Sequence, residues 1–314
     1  MAAVSCGRQA PQNSFRLVYW NIQNGMWDGQ TDDYQRFTNW VAGQKPDVCV
    51  WCEAQPIYKT GTYDKLDNID EWRADSLLTD LWLRLGARYG HNNVYIGGHR
   101  DNYPQVITSR FPIENVERIT GNPDTLVAHG AGWARIKIAG KDVNIVTLHT
   151  WPHAYGYNVP REDWERSKGA FEGDKFRRTE MEYICRHTLL GEPGAAGEYW
   201  MMMGDFNSRS RTDNWVYRYT DDDTKLLVHD YILAETPYID IIHEKNPDNF
   251  YSSVWGKARI DFVYCTPALA ACITEADIIT DDYTRPVKSE VVPSFREPST
   301  PRSEEHTSEL QSHH

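Results

Sequence analysis

The chain has 314 residues, 40% of them hydrophobic, which suffices for one large domain or two small ones with a substantial core. No apolar run is long enough to span a membrane as a helix. The formal net charge of −12, with no cluster of lysine and arginine, disfavours broad binding to nucleic acid, although one basic cleft is compatible with an acidic total.

Strands and helices alternate along the predicted chain, beginning with a strand over residues 16–20 that ends at Asn21. Apolar residues at helical spacing predict a helix that ends before Pro46, and a second strand over residues 48–52 ends at Glu53. Further strands are predicted over residues 106–108, 132–138, 143–148, 200–203 and 259–265, with helices around residues 78–85 and 176–190. Because strands outnumber helices and no linker interrupts them, we predict one α+β domain with mixed sheets.

Cys49 and Cys52 form a C-x-x-C motif inside the second predicted strand. Residues three apart in a strand face opposite sides of the sheet, so these two thiols are not expected to bind one metal ion. We interpret both as buried and inert, and we predict no disulfide framework among the six cysteines.

The apolar run that ends at Met203 is followed by Gly204 and then by two polar residues, Asp205 and Asn207. Alternation along an extended chain would direct both side chains to the same side of the sheet. A carboxylate and an amide placed in this way suit a site that holds an oxyanion and activates water. Taken alone, the two residues are better explained as turn formers.

Two more polar residues interrupt apolar strands. His149 ends the strand predicted over residues 143–148, where a histidine alone is more often structural. Asp261 lies inside the apolar stretch of residues 259–263, where a charged side chain is costly unless it is paired.

An aromatic loop follows His149 and runs from Trp151 to about Gly173. Its rings either pack together or offer a stacking surface to a base, a sugar or a lipid headgroup, and the sequence leaves both open. We interpret the next charged pair, Arg177 and Arg178, as a solvated helix face. Four histidines outside any motif are given no functional role: His91, His99, His129 and His153.

Both ends of the sequence are unusual. Ser5-Cys6-Gly7 resembles a lipoprotein cleavage site, although the charged and apolar regions that precede such a site are missing. Residues 1–14 would then be a tether, and the protein would be exported to the periplasm or lipid-anchored if a signal was lost, and cytoplasmic otherwise. Residues 302–312 match one reading frame of a sequencing adapter, so we interpret 302–314 as a non-native tail and 15–301 as the domain.

Six segments, in this order, resemble the endonuclease/exonuclease/phosphatase superfamily, which includes DNase I-like nucleases, neutral sphingomyelinases and inositol polyphosphate 5-phosphatases. They are WNIQNG (20–25), PDVCVWCE (46–53), TSRFPI (108–113), TLH (147–149), GDFN (204–207) and RIDF (259–262). Each segment is weak alone, and their shared order makes the resemblance specific. It implies a four-layer α/β/β/α sandwich with two mixed sheets, and hydrolysis of a phosphoester with a divalent cation, usually Mg²⁺, with Mn²⁺ or Ca²⁺ as alternatives.

The resemblance also implies a role for each matching residue. Glu53 would bind the metal ion with help from Asn21, and Asp205 would orient or deprotonate the attacking water. Asn207 and His149 would donate hydrogen bonds to phosphoryl oxygens as charge develops.

Asp261 matches an aspartate that orients a catalytic histidine in a C-terminal Ser-Asp-His motif, and no such motif occurs in this sequence. The resemblance therefore implies that the domain of residues 15–301 is truncated and lacks its last strand and this motif. His306 lies near the expected place, but its surroundings do not match. We therefore expect Asp261 to lack its histidine partner, and we expect hydrolysis to be weak or absent. A second departure from the family pattern is Gln23, where many relatives have Asp or Asn. A catalytically inactive, binding-only protein and a DNA or RNA nuclease are the alternatives.

The acidic charge favours a small phosphodiester or a lipid headgroup over duplex DNA as the substrate. We expect a monomer without a transmembrane segment.

Overall fold

A computed structural model describes residues 14–26, 31–59, 62–122, 126–250, 252–254, 258–279, 281 and 283–284. The predicted tether, except Ser14, and the whole predicted tail lie outside these residues. The strands of the described chain are β1 (Leu17–Asn21), β2 (Val48–Cys52), β3 (Asn93–Ile96), β4 (Val106–Ser109), β5 (Ile113–Gly121), β6 (Leu126–Ile138), β7 (Lys141–His149), β8 (Tyr199–Asp205), β9 (Ile239–Asp240) and β10 (Asp261–Cys265).

These strands form two sheets with the orders β1-β2-β4-β3 and β5-β6-β7-β8-β10-β9. Both sheets are mixed, because β1–β2 and β7–β8 pair in parallel while the other neighbours are antiparallel. The carboxyl ends of parallel neighbours meet at one edge of a sheet, which brings the polar residues after these strands together.

An apolar core separates the two sheets. Val50 of β2 and Met203 of β8 belong to it, whereas their neighbours Trp51 and Met202 belong to two other clusters on the outer faces. The change of cluster from one residue to the next follows from the alternation of side chains along a strand that is buried on both faces.

Helices cover both outer faces. The helices of eight or more residues are Gln35–Gln44, Asp75–Ala87, Glu172–Arg186 and Leu227–Glu235, and the shorter ones are Trp164–Gly169, Asn214–Tyr217, Ile241–Lys245 and Pro267–Ala270. Phe37 and Trp82 from the first two helices pack on Trp51, with ring centroids 5.2 and 5.6 Å away. Met181 and Ile232 from the next two belong to the cluster on the second sheet. The predicted four-layer α+β sandwich is confirmed.

The predicted extents of several elements are wrong. The strand predicted over residues 259–265 begins only at Asp261, because Arg259 is buried before it in ion pairs with Asp213 and Asp240, at 2.8 and 2.5 Å. The strand of residues 132–138 begins at 126, and the helix of residues 176–190 spans 172–186. The sequence pattern also missed β3, β5 and β9, and β5 has only one buried residue and so lacks clear alternation.

The two cysteines of the C-x-x-C motif are buried with free thiols, as interpreted from the sequence. Burial raises the pKa of both thiols, which keeps them protonated and unreactive. In the described part of the chain, no helix is long and apolar enough to cross a membrane.

Candidate active site

Polar residues from both sheets meet at one edge of the sandwich. Asn21 ends β1 opposite Cys52, and Glu53 directly follows β2. In the second sheet His149 ends β7 opposite Asp205, which in turn pairs with Asp261 at the start of β10. Strand register within each sheet and the packing of the two sheets therefore bring together residues that are up to 240 positions apart in sequence.

Glu53, His149 and Asp205 form the centre of this cluster. Each offers a potential ligand atom, and these atoms all lie within 4.8 Å of one another. The Asn21 amide Nδ2 donates to Glu53 Oε1 at 3.1 Å and to Asp205 Oδ2 at 3.0 Å, which joins the two sheets. Asn21, His149 and Asp205 are buried and Glu53 is half-buried, so the cluster is open to solvent mainly at Glu53.

The backbone beside Glu53 is unusual. Residues Gln23–Met26 form one turn in which every φ is positive, between 44° and 66°, and Glu53 itself has φ 54°. Asn24 N donates to Glu53 Oε2 at 3.3 Å, and Gly25 N donates to the Glu53 carbonyl oxygen at 2.7 Å. Positive φ at residues other than glycine is uncommon and is often found at functional sites, where surrounding contacts hold the strained conformation.

We expect Gly25→Ala to destabilise the protein and displace Glu53. A Cβ at Gly25 would lie 2.5 Å from Pro56 N and 2.7 Å from the Gln55 carbonyl carbon, and its φ of +66° disfavours L residues. Strain of this kind costs about 1–3 kcal/mol before the clash is counted. The control is Gly43→Ala, because Gly43 lies in a helix and a Cβ there meets no atom within 4 Å. Urea unfolding should show a large loss only for the first variant, and equal unfolding free energies would contradict the prediction.

Asp205 and Asn207 come together through a turn. Asp205 is the last residue of β8, and Asn207 has φ 46°, so the expected alternation of an extended chain does not reach Asn207. Asn207 N donates to Asp205 Oδ1 at 2.9 Å, and Asn207 Nδ2 donates to the Thr150 carbonyl at 3.1 Å. That bond uses one of the two amide hydrogens of Asn207 and ties it to the residue after His149.

Asp261 has a hydrogen-bond donor other than the histidine of the missing motif. The Tyr19 hydroxyl donates to Asp261 Oδ1 at 2.6 Å. Burial, and then the charge of Asp261, raise the pKa of Tyr19, so its phenol remains a donor. A tyrosine of β1 therefore occupies a hydrogen-bonding position on this carboxylate.

A second histidine, to which no functional role was assigned from the sequence, lies beside the cluster. The ring of His129 lies 4.4 Å from that of His149, centroid to centroid, and Tyr103 packs against both rings. His129 Nδ1 is hydrogen-bonded to Asp101, and its buried Nε2 has no hydrogen-bond partner among the described residues. Burial lowers the pKa of His129, but Asp101 outweighs this effect and raises it above the usual value. No motif marks these residues, and only their contact in space reveals them.

The aromatic loop after His149 packs largely on itself. Tyr155 stacks on Trp164 with centroids 4.3 Å apart, and Tyr157 stacks on Phe176 at 5.2 Å. This favours the packing interpretation over an open stacking surface. The interpretation of Arg177 as solvated is wrong, because its side chain is buried against this loop.

The donor set of the cluster fits a hard divalent cation. Mg²⁺ and Ca²⁺ prefer oxygen ligands such as carboxylates, which Glu53 and Asp205 supply, and His149 adds a nitrogen that suits other divalent ions. The two carboxylates are bridged by the neutral amide of Asn21, so their negative charge favours a cation nearby. Burial and then Asp205, Glu53 and Asp261 raise the pKa of Cys52, which reflects the same concentration of negative charge.

No family model matches the sequence, and no curated protein matches it. Among solved structures, the chain is similar to an AP endonuclease from Archaeoglobus fulgidus, with a TM-score of 0.53, 15% identity, and coverage of 82% of this chain and 89% of that one. A 3'-5' exonuclease (NExo) from Neisseria meningitidis gives 0.48 and 17%, over 89% and 96% of the two chains. The catalytic domain of human Nocturnin gives 0.47 and 11%, over 81% and 82%. The first likeness confirms the predicted DNase I-like fold.

Proposed function

We propose that this chain is a divalent-metal-dependent phosphoesterase, which hydrolyses a phosphodiester or phosphomonoester by attack of an activated water. The observation that carries this proposal is the convergence of Glu53, His149 and Asp205 within 4.8 Å at the joined edges of the two sheets. The DNase I-like fold supports it, because the site lies where the sequence motifs of that superfamily meet.

In this proposal, Glu53 holds the cation and Asn21 helps by fixing the Glu53 and Asp205 carboxylates through its Nδ2. Mg²⁺ is the first candidate, with Mn²⁺ or Ca²⁺ as alternatives. The ion would neutralise charge on the phosphate. Asp205 orients or deprotonates the water, and its position is fixed by bonds from Asn21 and Asn207. Asn207, which keeps one amide hydrogen beyond its bond to Thr150, and His149 donate to phosphoryl oxygens.

Asp261 supports the site from the side of β10, where it pairs with Asp205 in register and accepts the Tyr19 hydrogen bond. The sequence contains no Ser-Asp-His motif, so that motif supplies no catalytic histidine for Asp261 to orient. We therefore propose that hydrolysis by this chain is weak.

A DNA phosphodiester is a second candidate substrate. The name of the similar Archaeoglobus fulgidus protein, an AP endonuclease, favours DNA, so the preference for small substrates that follows from the acidic charge is not supported. A local site can attract DNA even when the net charge of the whole protein is negative, and proteins that share one fold act on different substrates.

The proposal is tested with the full chain, at high protein concentration, on a panel of phosphate esters. The panel contains bis(4-nitrophenyl) phosphate, 4-nitrophenyl phosphate, a phosphocholine lipid and duplex DNA, each with Mg²⁺, Mn²⁺ or Ca²⁺. We expect slow hydrolysis of at least one diester that stops when EDTA removes the metal. Cation binding without hydrolysis of any substrate would instead support the binding-only alternative, and salt-sensitive cleavage of DNA would identify a nuclease.

A further inference from the structure

The loop that follows His149 is held from behind by two buried charged side chains of the helix Glu172–Arg186. The Glu180 carboxylate accepts from Trp151 N at 3.0 Å through Oε2, and from Ala128 N at 2.7 Å through Oε1. Arg177 Nη1 donates to the carbonyls of Trp151 and His153, both at 2.9 Å. Both polar groups of the Trp151 backbone are therefore bound by one face of this helix.

Burying these two charged side chains behind the loop costs free energy. Glu180 and Arg177 are 0% and 5% exposed, and buried charges are destabilising unless they are paired and hydrogen-bonded. Burial raises the pKa of Glu180 to about 7, although the bonds from Trp151 and Ala128 lower it. Arg177 is paired with Asp174 one turn earlier. A loop that needed only an anchor could be packed with apolar side chains.

The helix also approaches the loop unusually closely. At Gly173, a Cβ would lie 2.2 Å from the His153 carbonyl oxygen, and Gly173 N donates to the Ala154 carbonyl at 3.1 Å. The absence of a side chain at this position therefore permits the approach that brings Arg177 and Glu180 within reach of the loop backbone.

The bound backbone leads directly into the candidate active site. Thr150, which lies between His149 and Trp151, donates from N to the Asp205 carbonyl at 3.0 Å and from Oγ1 to the Phe206 carbonyl at 2.6 Å. The Thr150 carbonyl accepts from Asn207 Nδ2. On the other side, Ala128 precedes His129, whose ring packs against His149. Trp151 is therefore next to the residue that binds Asn207, and Ala128 is next to the residue whose ring packs against His149.

We propose that Arg177 and Glu180 are positioning residues, which fix the backbone on both sides of the candidate active site so that His149 and Asn207 keep the orientation the reaction needs. The inference rests on the proposed function for its effect on turnover, but the geometric part stands independently. Displacements near 1 Å can reduce an enzymatic rate about 100-fold, so the positions of these side chains matter for turnover.

The main test is Glu180→Gln in the full chain at pH 8, where the carboxylate is ionised. Glutamine keeps the volume of the side chain but can accept from only one of the two N–H groups through its oxygen. We expect amide hydrogen exchange at Trp151 or Ala128 to become at least about tenfold faster, with no change in the middle of β8. The side-chain amide signals of Asn207 in the NMR spectrum should shift as well. Where hydrolysis is measurable, kcat should fall about 10- to 100-fold with little change in KM.

The matched control is Glu182→Gln, the same change two residues further along the helix. Glu182 is partly exposed and pairs with Arg178 on the helix surface, so neither the amide exchange nor the Asn207 signals should change.

A second pair of variants tests Arg177. Arg177→Met should disturb the Asn207 signals, and Arg177→Lys, which keeps a donor, should restore them in part.

Two results would overturn the inference. Unchanged exchange at both amides in Glu180→Gln would show that the carboxylate does not hold the loop. Faster amide exchange at Trp151 or Ala128 with unchanged Asn207 NMR signals would show that the Glu180 carboxylate holds the loop but does not position Asn207. If the wild-type chain hydrolyses none of the phosphate esters, the proposed function fails, while exchange and the Asn207 signals still decide this inference.

Discussion

Asp205→Asn is expected to lower the rate of phosphodiester hydrolysis by about 100- to 10,000-fold, the range that general-base catalysis contributes. In the proposed reaction Asp205 takes or orients a proton of the attacking water, and an amide cannot accept that proton. The side chain is 3% exposed and sits at the end of β8, so it is fixed well enough for this role. The rate is measured on bis(4-nitrophenyl) phosphate under single-turnover conditions with Mg²⁺ or Mn²⁺.

The fold should tolerate this substitution. Asp205 Oδ1 accepts from Asn207 N and Oδ2 accepts from Asn21 Nδ2, so the new amide can keep only one of these bonds as an acceptor. If the new side-chain oxygen faces Asn21 Nδ2, that bond is kept and Asn207 N loses its acceptor. We therefore expect a loss of about 1–3 kcal/mol at most, the cost of one unsatisfied buried donor, and an intact fold.

Asp142→Asn is the matched control. Asp142 lies near the opposite end of β7, is 46% exposed and pairs with Lys137 at 3.1 Å. Its replacement should leave both rate and fold unchanged. Near-normal hydrolysis by Asp205→Asn would remove Asp205 from the mechanism.

Much of the fold could be predicted because apolar strands and their polar ends leave clear local patterns. The run of residues 200–203 and the stop at Gly204 predict β8 and place Asp205 at its end. Strands buried on both faces, such as β2, are easily recognised. The edge strand β5 was missed because its exposed residues follow no alternating pattern, and pairing with β6 determines its conformation.

The surroundings of the site were predicted less well, since they depend on contacts that no local pattern encodes. An arginine in a helix usually faces solvent, and the backbone carbonyls of a distant loop, together with Asp174, make a buried Arg177 favourable. His129 is 20 residues from His149, and its role as a neighbour follows from the pairing of β6 and β7. The left-handed turn at Gln23–Met26 was equally hidden, because only Asn24 and Gly25 among its four residues favour positive φ.

These unpredicted features share one property, which is that each is locally unfavourable. The positive φ of Glu53, the buried charge of Glu180 and the unpartnered Nε2 of His129 all cost free energy. They surround the same group of strand ends. Local rules tend to fail at functional sites, so this concentration supports the location of the site independently of any sequence motif.

Glu53→Gln is expected to weaken binding of Mn²⁺ by about 100-fold or more, which corresponds to about 2.8 kcal/mol. A unit charge 4 Å from another contributes about 4 kcal/mol at an effective dielectric constant near 20, so the loss of one carboxylate from a divalent site readily produces this change. Glutamine retains one oxygen, but its NH₂ group must face either Asn21 Nδ2 or Asn24 N, both of which are donors. The substitution therefore removes one negative charge from the site and also disturbs one of the hydrogen bonds that orient the side chain.

This result is measured by Mn²⁺ titration followed by electron paramagnetic resonance, which requires no substrate and no turnover. Glu114→Gln is the control, because Glu114 is an exposed carboxylate on β5 that pairs with Arg135 at 3.1 Å, and its loss should not change the affinity. Asp205→Asn should also weaken binding if Asp205 contributes a ligand atom, whereas an unchanged affinity would restrict Asp205 to the attacking water. Equal Mn²⁺ affinity of Glu53→Gln and the wild-type chain would show that the cation, if one is bound, is held elsewhere, and the proposed metal-dependent mechanism at these strand ends would then be wrong.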